Sequence, residues 1–223
     1  MTELTEFQKK IAALLPNLEL RMNESMAKHT SFRIGGGAEV MAFPKTETEL
    51  AELLKVSALL DCKCAILGAG TNVLAPDEGI TGLVICLKDC LDGMEALSDT
   101  RIRVMAGVTM SRAAVFAANL GLSGLEFAHG IPGTIGGGIY MNAGAYGGEI
   151  SQVCDRVEVM DRQGNSRWLR NAEMGFSYRH SVLETASDIV IRAEFTLTPA
   201  QPESIKARMK ELMSKRSASQ PLE

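Results

Sequence analysis

Ten of the 21 glycines in this sequence fall between Gly121 and Gly148, and the densest stretch, Phe127 to Gly148, reads FAHGIPGTIGGGIYMNAGAYGG. Glycine weakens a helix or strand interior by roughly 0.5–1 kcal/mol relative to alanine. A run this dense is expected where the backbone must come close to something, because consecutive N–H donors surround an anion only where no Cβ intervenes. A second, shorter segment, GAGTNVL from Gly68 to Leu74, follows the apolar run CAIL.

Two familiar phosphate loops are excluded. The long run contains no lysine, so it is not a G-x-x-x-x-G-K-[ST] loop. Gly68-x-Gly70 is followed by Val73 where a dinucleotide fingerprint needs its third glycine. What remains is two neutral loops, with Thr71 and Asn72 in the first and Thr134 and Asn142 in the second. The second carries no basic residue, so a bound pyrophosphate would be neutralised mainly by backbone dipoles. A large, extended ligand suits two such loops better than a compact triphosphate. A lone glycine segment is usually a packing device; two in one chain, each with Thr and Asn, favour a ligand.

The length, 223 residues, allows one large domain or two small ones. A net charge of −4, with no cluster of Lys/Arg interleaved with aromatics, argues against nucleic acid or an anionic membrane as partner. No apolar run approaches the ~18 residues of a membrane span. The N-terminus has helical spacing (Leu4, Phe7, Ile11, Leu14, Leu15) rather than a basic-then-apolar leader, so a cytoplasmic protein is expected. Five cysteines at spacings that match no zinc motif read as free, buried thiols. His29, His129 and His180 suggest no metal site.

Along the chain, Thr46-Glu47-Thr48-Glu49 reads as a capping box opening a helix to about Leu60. Cys64 to Leu67 is then expected as a short buried strand, with further strands at Leu83 to Leu87 and Arg101 to Ala106. A helix from about Ser111 to Leu120 should end at Gly121. Val153 to Met160 and a strand near Arg167 should flank a turn at Arg162 to Asn165. A helical turn near Asn171, a long strand from Asp188 to Thr198 and a helix from Ser204 to Ser217 follow. Strands and helices mix without βαβ alternation, so the fold class expected is α+β.

Five blocks, in order, carry a resemblance: HTSFRIGGGAEV (His29 to Val40), LGAGTNVL (Leu67 to Leu74), the segment Gly121 to Glu149, YRHS (Tyr178 to Ser181) and KRSASQPLE (Lys215 to Glu223). On these residues the sequence resembles the UDP-N-acetylenolpyruvoylglucosamine reductases, flavoenzymes of peptidoglycan precursor synthesis. The resemblance implies an FAD-binding part of the vanillyl-alcohol-oxidase (PCMH) type, made of two α+β subdomains, over residues 33–199. Residues 1–32 form a lead-in and 200–223 a helix leading towards a C-terminal substrate domain. It implies that FAD is held by Gly68, Gly70, Thr71 and Asn72, and by Pro132, Gly133, Thr134, Gly137, Asn142, Gly144, Ala145, Tyr146 and Gly147.

The implied reaction is reduction of UDP-N-acetylglucosamine enolpyruvate to UDP-N-acetylmuramate, with NADPH as hydride donor, in a monomer. Arg179 matches the family's catalytic arginine, beside the substrate carboxylate, where its planar fork suits an oxyanion better than a lysine. Tyr178 and Ser181 are expected at the same site as substrate contacts. The family's proton-donor serine and a further glutamate lie beyond the QPLE landmark. By that pattern these 223 residues are expected to be incomplete for the second half-reaction, with the apolar face of the last helix exposed. A competing expectation is a non-catalytic FAD- or nucleotide-binding module.

Overall fold

A computed structural model describes residues 3–88 and 90–219; the QPLE landmark, residues 220–223, lies outside them. The chain divides into two compact units: residues 1–91 with 160–166, and residues 92–159 with 167–223. Each is described by itself.

The first unit opens with α1 (Glu6–Leu14), held by a capping box in which Thr5 accepts from the Gln8 N–H and Gln8 answers to the Thr5 N–H. Strands β1 (Leu20–Ser25) and β2 (Gly37–Ala42) come next, then helix α2 (Glu47–Leu59), then β3 (Cys64–Leu67) and β4 (Ile80–Cys86). They form a four-stranded sheet in the order β1-β2-β4-β3. β1 runs antiparallel to β2, while β4 pairs parallel with both β2 and β3.

The four consecutive buried residues Leu83 to Cys86 mark β4 as an interior strand covered on both faces. The CAIL strand forms where expected, but as an edge: Ala65 and Ile66 are exposed and only Leu67 is buried. The run is apolar, yet its position at the end of the sheet leaves one side without a partner. At α2, the Thr46 side chain accepts from the Glu49 N–H at 3.1 Å. The return bond of the expected box goes instead to the Lys45 N–H, so Glu49 caps one residue upstream.

The second unit contains β5 (Met94–Ser98), β6 (Arg101–Met105), α3 (Met110–Asn119), the two-residue strand β7 (Leu122–Ser123) and a short helix α4 (Ile135–Tyr140). Then come β8 (Gly144–Ala145), β9 (Gly148–Glu149), β10 (Cys154–Met160), β11 (Ser166–Arg170), β12 (Ile189–Thr196), β13 (Thr198–Pro199) and α5 (Pro202–Ser219). The main sheet has the order β11-β10-β12-β6-β5. One face buries Ile102, Val104, Val157, Val159, Ala193 and Phe195 beneath the helices.

Residue alternation puts charges on the opposite face. Glu194 is fully buried there, and accepts from Arg101 (2.7 Å), Arg103 (2.7 Å) and Arg156 (2.9 Å), whose guanidinium lies 4.3 Å from the Trp168 ring centre. Burial opposes ionisation of Glu194, but hydrogen bonds from Arg156 and Arg103 outweigh it and hold the carboxyl below its ordinary range.

The α+β class is as expected. The last helix corrects an expectation: Ile205, Met209 and Leu212 are buried, and Ile205 and Met209 belong to the core of this unit. The apolar stripe on α5 therefore has a partner in its own unit, and only Met213 is left 37% exposed. None of the five cysteines is disulfide-bonded; Cys86 and Cys154 are buried, and Cys62, Cys64 and Cys90 are partly so.

Candidate functional site

The IGGGIY segment, read from sequence as part of a loop, folds locally as α4. Thr134 is its N-cap and accepts from the Gly137 N–H at 3.4 Å. Two of the three glycines are needed for packing. A Cβ at Gly136 would lie 3.1 Å from Ala106 Cβ, and one at Gly138 2.7 Å from the Met110 sulfur. Gly137 differs: it is exposed, and the nearest atom to a Cβ there is the Thr134 hydroxyl at 3.7 Å. Among the three, only Gly137 leaves its backbone open to a ligand.

After α4 the chain turns back on itself. Gly144 pairs with Glu149 and Ala145 with Gly148, so Tyr146-Gly147 is a two-residue hairpin turn. Both have positive φ, 54° and 86°, as the primed turn of a tight hairpin demands. Glycine suits this position; tyrosine does not, and strain of order 1 kcal/mol is stored there. A Cβ at Gly147 would meet nothing within 4 Å, so the tip is open.

The YRHS segment makes a second tight turn. Ser177 and His180 exchange both backbone hydrogen bonds at 3.2 Å, putting Tyr178 and Arg179 at the tip. Arg179 has φ 56°, again where glycine or asparagine is usual. Two buried side chains clamp this turn. Asn142 donates Nδ2–H to the Ser177 carbonyl (3.0 Å) while its Oδ1 accepts from the Ser151 N–H (2.9 Å). Ser181 donates to the Tyr140 carbonyl at 2.7 Å.

Arg179 is thereby fixed at the rim of an open depression of about 240 Å³ lined by residue 142, residues 144–149 and Tyr178 with Arg179. Its guanidinium has no ion pair or hydrogen bond among the described residues. An exposed cation without an internal partner, on a strained and doubly clamped turn, is suited to an external anion.

In the other unit, Gly70 has φ 64°, and a Cβ there would lie 1.9 Å from the His29 carbonyl oxygen. Gly70 is thus fixed as glycine by its neighbour. Among the described residues, the N–H groups of Ala69, Gly70 and Asn72 serve no backbone hydrogen bond, and Asn72 is exposed. Donors left over in a glycine turn fit a dinucleotide pyrophosphate.

The sequence-derived set therefore falls into three groups. Gly144, Ala145, Tyr146, Gly147, Tyr178 and Arg179 meet in one depression. Gly68, Gly70, Thr71 and Asn72 form the turn after β3, and Pro132, Gly133, Thr134 and Gly137 lead into and begin α4. The side chains of Thr134, Asn142 and Ser181, all expected at the site, make their hydrogen bonds inside the protein. Each is more than nine-tenths buried, and its partners are backbone groups that shape the loops. Tyr178, expected to pack or bond near the site, is 91% exposed.

His180 pairs with Glu184 at 2.8 Å. The Nδ1 of His129 is buried without a partner, while its carbonyl accepts from Ser111. No group of three or more metal-ligating side chains occurs among the described residues. Nor is any helix among them long and apolar enough to cross a membrane.

A family profile described as an FAD binding domain matches residues 38–170. The UDP-N-acetylenolpyruvoylglucosamine reductase of Halalkalibacterium halodurans is 40% identical over 203 residues, covering 91% of this chain and 67% of that protein. Its counterpart in Caldanaerobacter subterraneus subsp. tengcongensis is 42% identical over 214 residues, covering 96% and 70%. The crystal structure of the UDP-N-acetylenolpyruvylglucosamine reductase from Thermus caldophilus aligns with a TM-score of 0.73 at 31% identity, covering 92% of this chain and 71% of that one. A glucooligosaccharide oxidase from Acremonium strictum, 14% identical with a TM-score of 0.63 over 87% of this chain and 43% of that one, shares the fold alone.

Proposed function

The chain belongs to the UDP-N-acetylenolpyruvoylglucosamine reductase family, and from that premise we propose that it serves the NADPH-dependent reduction of UDP-N-acetylglucosamine enolpyruvate to UDP-N-acetylmuramate. It belongs equally to the FAD-binding domain family, and FAD is its cofactor. Bound FAD supplies the hydride that it has received from NADPH. The chain spans 67–70% of the length of the Halalkalibacterium halodurans and Caldanaerobacter subterraneus reductases.

One observation carries the reading: Arg179 stands unpaired on a turn that favours glycine, clamped by Asn142 and Ser181 beside the hairpin Gly144 to Glu149. Hydride addition at the vinyl CH2 carbon of the substrate moves negative charge into its carboxylate. A guanidinium already fixed there stabilises charge that exists only along the reaction coordinate. The clamps fix the backbone from which that cation departs before substrate arrives, which lowers the reorganisation needed. Protonation of the neighbouring carbon then completes the lactyl group.

The exposed backbone at Gly137 and Gly147 lets a flat ring system lie against the second unit, and Tyr146 and Tyr178 offer aromatic surface beside it. In the first unit Ala69, Gly70 and Asn72 supply backbone donors for the pyrophosphate, in the turn that Gly68 and Thr71 help to form. Thr134, Asn142 and Ser181 are positioning residues. The five thiols, none of them disulfide-bonded, fit a reducing compartment, so the cytoplasm is the proposed location.

The test uses FAD-loaded protein under anaerobic conditions. NADPH should bleach the visible flavin band, and the enolpyruvyl substrate should then perturb the flavin spectrum. Arg179→Gln should leave FAD affinity and NADPH bleaching within about twofold of wild type, yet weaken the substrate perturbation by roughly 10–100-fold, the loss of a charge-assisted hydrogen bond. Bleaching that fails in wild type, or a variant that binds substrate as wild type does, overturns the assignment.

A further inference from the structure

Six non-glycine residues adopt positive φ among the described residues, and three of them, Asn23, Asp61 and Asn142, are of types that tolerate it. The others are Tyr146, Arg179 and Arg33. The first two line the depression of the second unit. Arg33, with φ 55°, is the counterpart in the first unit, and nothing so far explains it.

Its surroundings are built around the first glycine loop. Segment 29–36 runs beside segment 70–79: Ser31 N–H donates to the Gly70 carbonyl (3.0 Å) and Gly36 N–H to the Pro76 carbonyl (2.9 Å). A Cβ at Gly35 would lie 2.5 Å from that of Ala75. The start of the segment is anchored by His29, whose Nε2 lies 2.9 Å from Glu24 Oε1. A tight turn follows, closed by Arg33 N–H to the Thr30 carbonyl (3.1 Å) and by the Thr30 hydroxyl to the Ile34 carbonyl (3.2 Å). Arg33 sits at the end of that turn, exposed, with no ion pair or hydrogen bond to its guanidinium among the described residues.

The loop it flanks lacks positive charge. Between Leu67 and Ile80 there is no Lys or Arg, while Asp77 and Glu78 add two negative charges. Backbone donors at residues 69, 70 and 72 can orient a diphosphate but cannot offset those carboxylates. Phe32 and Ile34, on either side of Arg33, are 60% and 46% exposed, and Leu74 on the neighbouring segment is 73% exposed. Apolar side chains left open around unsatisfied donors and an unpaired cation describe a surface that a ligand covers.

We infer that Arg33 is the counter-charge for the FAD diphosphate at the Gly68 to Leu74 loop, an assignment that rests on the flavin reading above. The left-handed backbone fixes where the guanidinium departs from the chain. Glycine or asparagine would serve the turn better, so an arginine there is explained by its charge.

The experiment titrates wild type, Arg33→Asn and Arg33→Lys with FAD and with riboflavin, which lacks phosphate, following flavin fluorescence at two salt concentrations. Asparagine suits positive φ, so the unliganded variant should melt at or above the wild-type temperature. Its Kd for FAD should rise roughly 10–100-fold, with riboflavin binding unchanged and a weaker salt dependence. Lysine should recover at least part of the loss. An FAD Kd within twofold of wild type, or an equal loss for riboflavin, overturns the role of Arg33 alone. Wild type that binds no FAD overturns the flavin reading and this inference with it.

Discussion

Adjacent glycines in α4 should respond to the same substitution with opposite sign. Gly137→Ala adds a methyl group to an exposed helical position whose nearest neighbour is 3.7 Å away. It should therefore gain the intrinsic helix preference of alanine, roughly 0.5–1 kcal/mol. Gly136→Ala makes the same gain but drives its Cβ to 3.1 Å from Ala106 Cβ and 3.3 Å from the Ala106 carbonyl oxygen. That backbone cannot move away, because Gly136 N–H donates to the same carbonyl at 2.9 Å. Overpacking of this kind costs about 1–3 kcal/mol, leaving a net loss of up to roughly 2.5 kcal/mol. Trp168 is the only tryptophan and lies on β11 in the same unit, so its fluorescence during urea unfolding reads the effect directly. With FAD present, the order should change for Gly137→Ala alone: a stabilised apo-protein with weaker flavin binding. If Gly137→Ala destabilises the apo-protein as much as Gly136→Ala, the division between packing and ligand-facing glycines is wrong.

Glu194→Gln should cost about 2–3 kcal/mol, less than the roughly 3–5 kcal/mol of breaking a fully buried ion pair, because its three arginines are partly solvated. The folded-state pKa of Glu194 is depressed, so its contribution is present above the unfolded value of about 4.3 and is lost as pH falls through the folded one. Acid unfolding followed by Trp168 should accordingly be less steep in the glutamine variant. Burial pushes the Cys154 thiol up to about 12 and that of Cys64 to about 11. Alkylation at neutral pH, mapped by mass spectrometry, should label Cys154 only after unfolding; rapid native labelling would contradict its packing.

Much of the architecture was legible because it follows from local chemistry. Thr46 caps α2 where its sequence context says it should, and Gly121, with φ 69°, ends α3, whose start at Met110 behind Thr109 lies one residue before the expected one. The apolar run Leu83 to Cys86 and the segment Ile189 to Phe195, where Arg192 and Glu194 alternate with apolar residues, are strands because little else buries such patterns. What was hidden depends on partners distant in sequence. CAIL has the composition of an interior strand, and only the strand order reveals an edge. Three glycines in a row suppress helix propensity, yet contacts with Ala106 and Met110 make α4 the better solution. The Glu194 cluster leaves only a faint trace, the alternation of Arg101, Arg103 and Glu194 with apolar residues. At the site, the motif singled out Asn142 and Ser181 but not as clamps, since their partners, Ser151, Ser177 and Tyr140, are known only from the fold.

The central proposal is that this protein holds FAD through its glycine segments. Absorbance of the purified 223-residue protein after incubation with FAD and desalting tests it most directly. A retained flavin band, shifted from that of free FAD, is the result expected. A protein that stays folded by Trp168 fluorescence but elutes colourless would contradict the account.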